Sequence, residues 1–196
     1  MCLLKKEKMP KNNTIIPFSL DFFKIGYVIA FKMGEKDKYF GRLIYKEQKK
    51  HGFDDESAEY THVGISSGDE HYVNIAPPES RLVNILEYHK GRYIKIIKPK
   101  VYNDDLTERK RLKVALIYNA EAANRKYDVF GIIKFKIPFM FHKEKEFFCS
   151  EGCAYAIQHQ FPDYLDGLPP YQIMPANFLN KKEHDLVWEG FIPNDK

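Results

Sequence analysis

A chain of 196 residues with 44% hydrophobic and 30% charged side chains is long enough to bury a self-supporting core and too mixed in composition for a disordered tail or a fibre. Its formal net charge of +4 is spread over runs of both signs, such as "KKEK", "GEKDK" and "HKEKE", which argues against the one-sign stripe of a nucleic-acid surface. Cys2, Cys149 and Cys153 are too few for a disulfide framework, and no C-x-x-C pair offers a zinc ribbon.

Residues 1–20 read as a polar lead-in to a single domain spanning 1–196. The apolar run in "MCLLKKEKMPKNN" is too short for a signal peptide, and no stretch approaches a membrane span, so a cytoplasmic protein without stable membrane insertion is expected. Lys24 to Met33 is the first predicted strand, β-branched and aromatic. The charge-rich stretch 34–60 reads as a short helix or a mobile excursion, the least ordered internal segment and a candidate lid. "THVGISS" and "HYVNIA" are predicted to pair as a hairpin, with Gly68 and Asp69 in its loop. "RLVNILEYHKG" is ambiguous between strand and helix, and "RYIKIIKPK" alternates into a strand closed by Pro99.

The period then lengthens. Asn103, Asp104 or Asp105 could cap a helix from about Leu106 to Ala123, with Leu112, Ala115, Leu116 and Ala122 on one side. A second helix reads from Cys149 to His159, with Pro162 just beyond. Strands followed by helices, without strict alternation, imply an α+β class: an antiparallel sheet packed against helices.

Cys149 starts the second helix, where unpaired N–H groups and the helix dipole favour a thiolate, so its thiol is expected to titrate below the free value of about 8.5. Taken alone, it fits a buried structural thiol as well as a nucleophile. His62 lies inside the apolar strand "YTHVGIS", and a ring there is either a satisfied strand histidine or a base. His71, at the start of the next strand, is the fallback base. His51, His89, His142, His159 and His184 read as surface residues. Cys153, four residues after Cys149, shares its helix face and reads as core rather than as a metal ligand or redox partner.

Spacing cannot join Cys149 to His62. The strings "GYVIAF", "THVGIS", "HYVNIAPPES", "RYIKIIKP", "KYDVFG", "FFCSEGCAYAI" and "YQIMPANF", from about Gly26 to Leu179, resemble in their order the circularly permuted NlpC-like papain-fold hydrolases, the YiiX-type group among them. "THVGI" and "FCSE" are the specific part. The resemblance implies a permuted papain-like fold in which the histidine strand precedes the cysteine helix, with Cys149 as nucleophile and His62 as general base. It places a polar third residue on the strand after His62. Relatives often carry an acid there; this chain has Asn74, which can orient an imidazole without adding charge. Tyr127 matches a tyrosine that helps the oxyanion site, and Asp128 beside it could cap a turn.

The implied activity is a cysteine peptidase or amidase acting on a small peptide or acyl substrate, a cell-wall peptide or lipopeptide among them, through a thioester, with no cofactor and no metal. A lipid acyltransferase or thioesterase would use the same site, the apolar "IIKFKIPFMF" supplying a groove wall. A catalytically inert binding module on the same scaffold is the reading from another class.

Overall fold

A computed structural model describes residues 17–34, 37–76, 80–102, 107–124, 126–127 and 146–194. In chain order its elements are β1 (Val28–Lys32), α1 (Lys38–Lys50), α2 (Asp55–Ala58), β2 (Tyr60–Ile65), β3 (His71–Asn74), β4 (Arg81–Asn84), α3 (Ile85–Tyr88), β5 (Tyr93–Pro99), α4 (Thr107–Asn124), β6 (Lys126–Tyr127), β7 (Glu146–Phe147), α5 (Cys149–Gln158) and β8 (His184–Phe191). Short 3₁₀ turns at Tyr164–Gly167, Pro170–Gln172 and Pro175–Leu179 join α5 to β8.

The class is α+β. Four antiparallel strands form the main sheet in the order β2-β1-β5-β8, and β3 pairs with β4 in a second, two-stranded sheet. The central strand β1 is buried from Val28 through Phe31: Phe31 opposes both His62 and Ile94, and Ile29 opposes Gly64 and Ile96. Helix α5 packs against β2 and α4, so its first turn meets the sheet at an edge strand. Among the described residues no helix is long and apolar enough to cross a membrane.

Several expectations need correction. Residues 38–50 form a regular thirteen-residue helix, and Asp54 caps α2 by accepting from the Ser57 amide at 2.7 Å; most of the charged stretch is therefore ordered secondary structure. The hairpin of β2 and β3 does not form as a ladder. Its turn exists, with Gly68 and Asp69 at positive φ, but only Ser66 and Tyr72 bridge, and β3 leaves to pair with β4. The ring of Tyr72 lies over Gly64 so closely that a Cβ on Gly64 would come within 2.6 Å of Tyr72 Cδ2.

"RLVNILEYHKG" is both strand and helix. Asn84 ends β4 and caps α3, its side chain accepting from the amides of Leu86 and Glu87, so a single residue changes the period. On α4 the buried face is Val114, Ala115, Tyr118 and Ala122, whereas Leu112 and Leu116 are 44% and 58% exposed. Tyr118 decides the rotation, because its hydroxyl donates to the Val73 carbonyl at 2.9 Å. Strand β8, at the far edge of the main sheet, was not anticipated, although "DLVWEGF" carries the β-branched and aromatic residues that favour strands. The predicted cap at 103–105, Pro77 and Pro78, Asp128, His142 and "IIKFKIPFMF" lie outside the described residues.

Gly64→Ala should destabilise the fold by about 1–3 kcal/mol, the cost of overpacking a closed contact, as read from denaturant midpoints. The loss should shrink when Tyr72 is trimmed to Leu in the same chain.

Candidate active site

The helix start of Cys149 and the strand of His62 come together. Both side chains line one open cleft of about 300 Å³, with Asn74, Arg92, His89 and Thr61 around them and Tyr39, Phe40 and Ile44 of α1 along another wall. α5 begins after Phe148, whose extended backbone (φ −104°, ψ 167°) delivers the chain into the first turn. Ser150 anchors that turn from behind, its Oγ donating to the Ile173 carbonyl at 2.7 Å. The Cys149 sulfur rests against backbone N–H groups of its own residue, of Ser150 and of Val63, the residue after His62.

Those donors and Arg92 favour a thiolate, but burial weighs more. Cys149 is 2% exposed, and desolvation pushes its thiol up to about 11. This corrects the expectation of a depressed pKa: a helix start lowers a thiol only where the resulting charge is still solvated or paired. His62 moves in the complementary direction. Burial first, and then the guanidinium of Arg92, push its imidazole down to about 3, opposed by the Asn74 side chain. At neutral pH the resting pair is therefore a neutral thiol and a neutral imidazole.

Asn74 occupies the position expected of the third residue. It is 3% exposed, at the end of β3, and lies close enough to His62 to raise the affinity of the ring for a proton. His62 Nε2 and Asn74 Oδ1 are nevertheless both buried without a hydrogen bond of regular geometry. Tyr127 lies in β6, paired in parallel with Phe147 two residues before Cys149; its side chain lies outside the described atoms. His71 is exposed, which removes it as a fallback base. Cys153 is fully buried one turn along α5 and interacts with the Tyr118 hydroxyl. Among the described residues no three His, Cys, Asp or Glu side chains converge as a metal site.

Two residues at the site escaped sequence reasoning. His89, read as a surface residue, is 6% exposed. Its Nδ1 faces Arg92 Nη1 at 3.3 Å and so accepts, which leaves Nε2 to donate to the Tyr72 hydroxyl. Burial and Arg92 push this ring down to about 2. Arg92 itself is held on three sides: Nε donates to the Lys32 carbonyl at 3.0 Å, Nη2 forms an ion pair with Asp37, and the guanidinium lies over Phe31 at 5.2 Å. Phe31 is a shared floor, its ring also contacting His62, Tyr72 and His89.

The missed signal was alternation. Along β5 the residues in phase with Arg92 are Ile94 and Ile96, both fully buried, so period two already turns Arg92 toward the core side. Gly91, at φ +68°, makes the turn from α3 in a conformation that residues with a Cβ rarely adopt. His184 likewise proves buried, its Nδ1 donating to the Asn180 carbonyl at 3.0 Å and its Nε2 accepting from the Tyr164 hydroxyl; desolvation pushes it down to about 4. His51 and His159 are exposed as expected. Compared with known proteins, the chain matches no protein-family model and no curated sequence.

Three histidines buried neutral carry a pH consequence. Their folded pKa values lie below the unfolded value of about 6.5, so the unfolded chain binds protons first as pH falls. The stability they support is complete above that value and falls between pH 6.5 and the folded values of about 4, 3 and 2. Each should cost about 1.4 kcal/mol per pH unit within its window. Urea midpoints at pH 7, 6 and 5 should show a slope approaching three protons, and His184→Phe should lower that slope by one.

Proposed function

We propose that the protein is a cysteine hydrolase of papain-like chemistry, in the permuted order of histidine strand before cysteine helix, acting on an amide or acyl bond of a small peptide or acyl substrate. One observation carries the reading: Cys149 at the first turn of α5 opens onto the same cleft as His62 and Asn74, its sulfur against the amide that follows His62. A structural thiol needs no cleft and no imidazole beside it. The aromatic and aliphatic wall from α1 suits an apolar or extended substrate segment.

In this reading His62 takes the thiol proton as the sulfur bonds to the substrate carbonyl carbon. The developing oxyanion is met by the Cys149 amide. Collapse expels the amine or alcohol, which receives the proton from His62 and leaves a thioester. Water then attacks the thioester with His62 again as base, returning the acid product and the free thiol. Because both partners rest neutral, proton transfer accompanies attack instead of preceding it. Asn74 orients the ring; it is a weaker support for an imidazolium than a carboxylate would be.

A second reading, a binding module that no longer turns over, is favoured by the upward push on the thiol. Reactivity separates the two. Treated with chloroacetamide, Cys149 should label well ahead of Cys153, and His62→Ala should slow that labelling by about a hundredfold, the lower end of the range for loss of a general base. Labelling of the two cysteines at one rate, or indifference to His62→Ala, would refute the enzyme. Hydrolysis of peptide amides, esters or thioesters should vanish in Cys149→Ala. Chain transfer between lipid acceptors with peptides left intact would assign the lipid acyltransferase instead.

A further inference from the structure

The hydrolase reading uses Cys149, His62 and Asn74 and leaves the cation unexplained. A buried guanidinium is costly unless paired. Here it is retained in the wall of the reactive cleft, with 14% of its side chain exposed, and its counterion Asp37, with 34% exposed, lines the same cleft. Asp37 balances the charge, and the Lys32 carbonyl and the Phe31 face hold the group in place. None of these contacts requires that the pair stand in the wall of the cleft that holds Cys149 and His62.

We infer that Arg92 is a positioning residue for the Cys149–His62 pair, supplying the positive field that a thiolate or oxyanion needs as it forms, and that Asp37 attenuates this field. The arrangement has a cation in the wall of the cleft shared by Cys149 and His62, and an amide where a conventional triad has its acid. A carboxylate behind the imidazole stabilises the imidazolium. A guanidinium in the same cleft favours negative charge on sulfur and on the substrate oxygen, and makes the imidazole a weaker base. Arg92 shares the cleft with both side chains, and the Phe31 ring beneath it also contacts His62; its charge works against a proton on His62 and, after the backbone donors, on Cys149.

The other charged or titratable groups around the sulfur are few among the described residues. His62 of β2 and Tyr88 of α3 line the cleft with it, Tyr72 of β3 and Tyr118 of α4 act on it, and Cys153 and Glu151 share α5 with it; His89 lies between Arg92 and Tyr72. Tyr72 and Tyr118 are held well above their ordinary value by burial, so they stay neutral wherever a thiol titrates. Arg92 and Asp37 are thus the charged pair that acts on the cleft from outside α5. Asp37 stands at the N-cap of α1, the helix that also presents Tyr39 and Phe40 to the cleft. A substrate that slides between α1 and β5 meets the ion pair directly.

The inference rests on the hydrolase reading for its purpose, but its test needs no turnover. The pH midpoint of Cys149 alkylation by iodoacetamide, mapped by peptide mass spectrometry, reports the thiolate directly. Arg92→Met should raise that midpoint by about one unit, the low end of the shift for an opposite charge nearby. Asp37→Asn, which keeps the cation and removes its counterion, should lower it. Arg92→Lys should hold it close to the parent value. Damage to packing would slow or scatter both variants in one direction, so opposite signs distinguish the field from the fold. A midpoint that moves the same way in both, or that fails to fall in Asp37→Asn, overturns the assignment. Should Arg92→Met fail to fold, Asp37→Asn and Arg92→Lys decide alone. Absence of hydrolysis with the opposite shifts intact would defeat the hydrolase reading and leave the role of Arg92 standing.

Discussion

The contact between the Cys149 sulfur and the amide of Val63 is the constraint from which the rest of the site follows. It requires α5 to begin against the outer side of an edge strand, and β2 is the edge of the main sheet. It requires β3 to turn away after one bridge, because a full β2–β3 ladder would cover that side. Gly64 and Tyr72 bring this about, the missing side chain of one making room for the ring of the other. Once β3 has left the sheet plane, its last residue, Asn74, falls beside His62. Together these conditions bring the first turn of α5 to the strand of His62.

Burial then sets the chemistry. Helix dipole, backbone donors and a nearby guanidinium all favour negative charge on sulfur, and enclosure outweighs them. The same enclosure and the same guanidinium empty His62 of its proton. The outcome is a site with little stored charge, in which backbone donors and a guanidinium surround a neutral thiol. Such donors are stronger in a dry cleft than in water and need no reorganisation when charge appears. A resting ion pair would draw on part of that stabilisation before substrate arrives.

Much of the architecture was legible because local signals agreed with the global fold. The α4 and α5 helices, β1, β2 and β5 and the α+β class follow from period and punctuation; that Cys149 and His62 line one cleft does not, because spacing cannot join them. What was not legible turned on side chains whose partners lie far away in sequence. His89 and His184 look solvent-exposed beside "EYHKG" and "KKEHD", yet each is drawn inward by a tyrosine hydroxyl, Tyr72 and Tyr164. The rotation of α4 depends on Tyr118 reaching Val73, a contact that hydrophobic periodicity does not encode. Charged composition misled over 34–60, where Gln48 stitches α1 into the core by donating to the carbonyls of Ala58 and Tyr60 and accepting from the Ala176 amide.

Arg92 illustrates why a site can be half read. A resemblance directs attention to the residues it would put to chemical use, and a departure such as Asn74 then looks like a loss. In three dimensions the amide at position 74 is accompanied by a guanidinium in the wall of the same cleft, on a residue that β5 alternation places on the core side. A carboxylate at position 74 and a guanidinium at position 92 would work against each other, the first pulling a proton onto His62 and the second driving it off. With an amide at 74 that conflict is absent, so Asn74 and Arg92 are better understood as one electrostatic choice than as a defect and an unrelated buried cation.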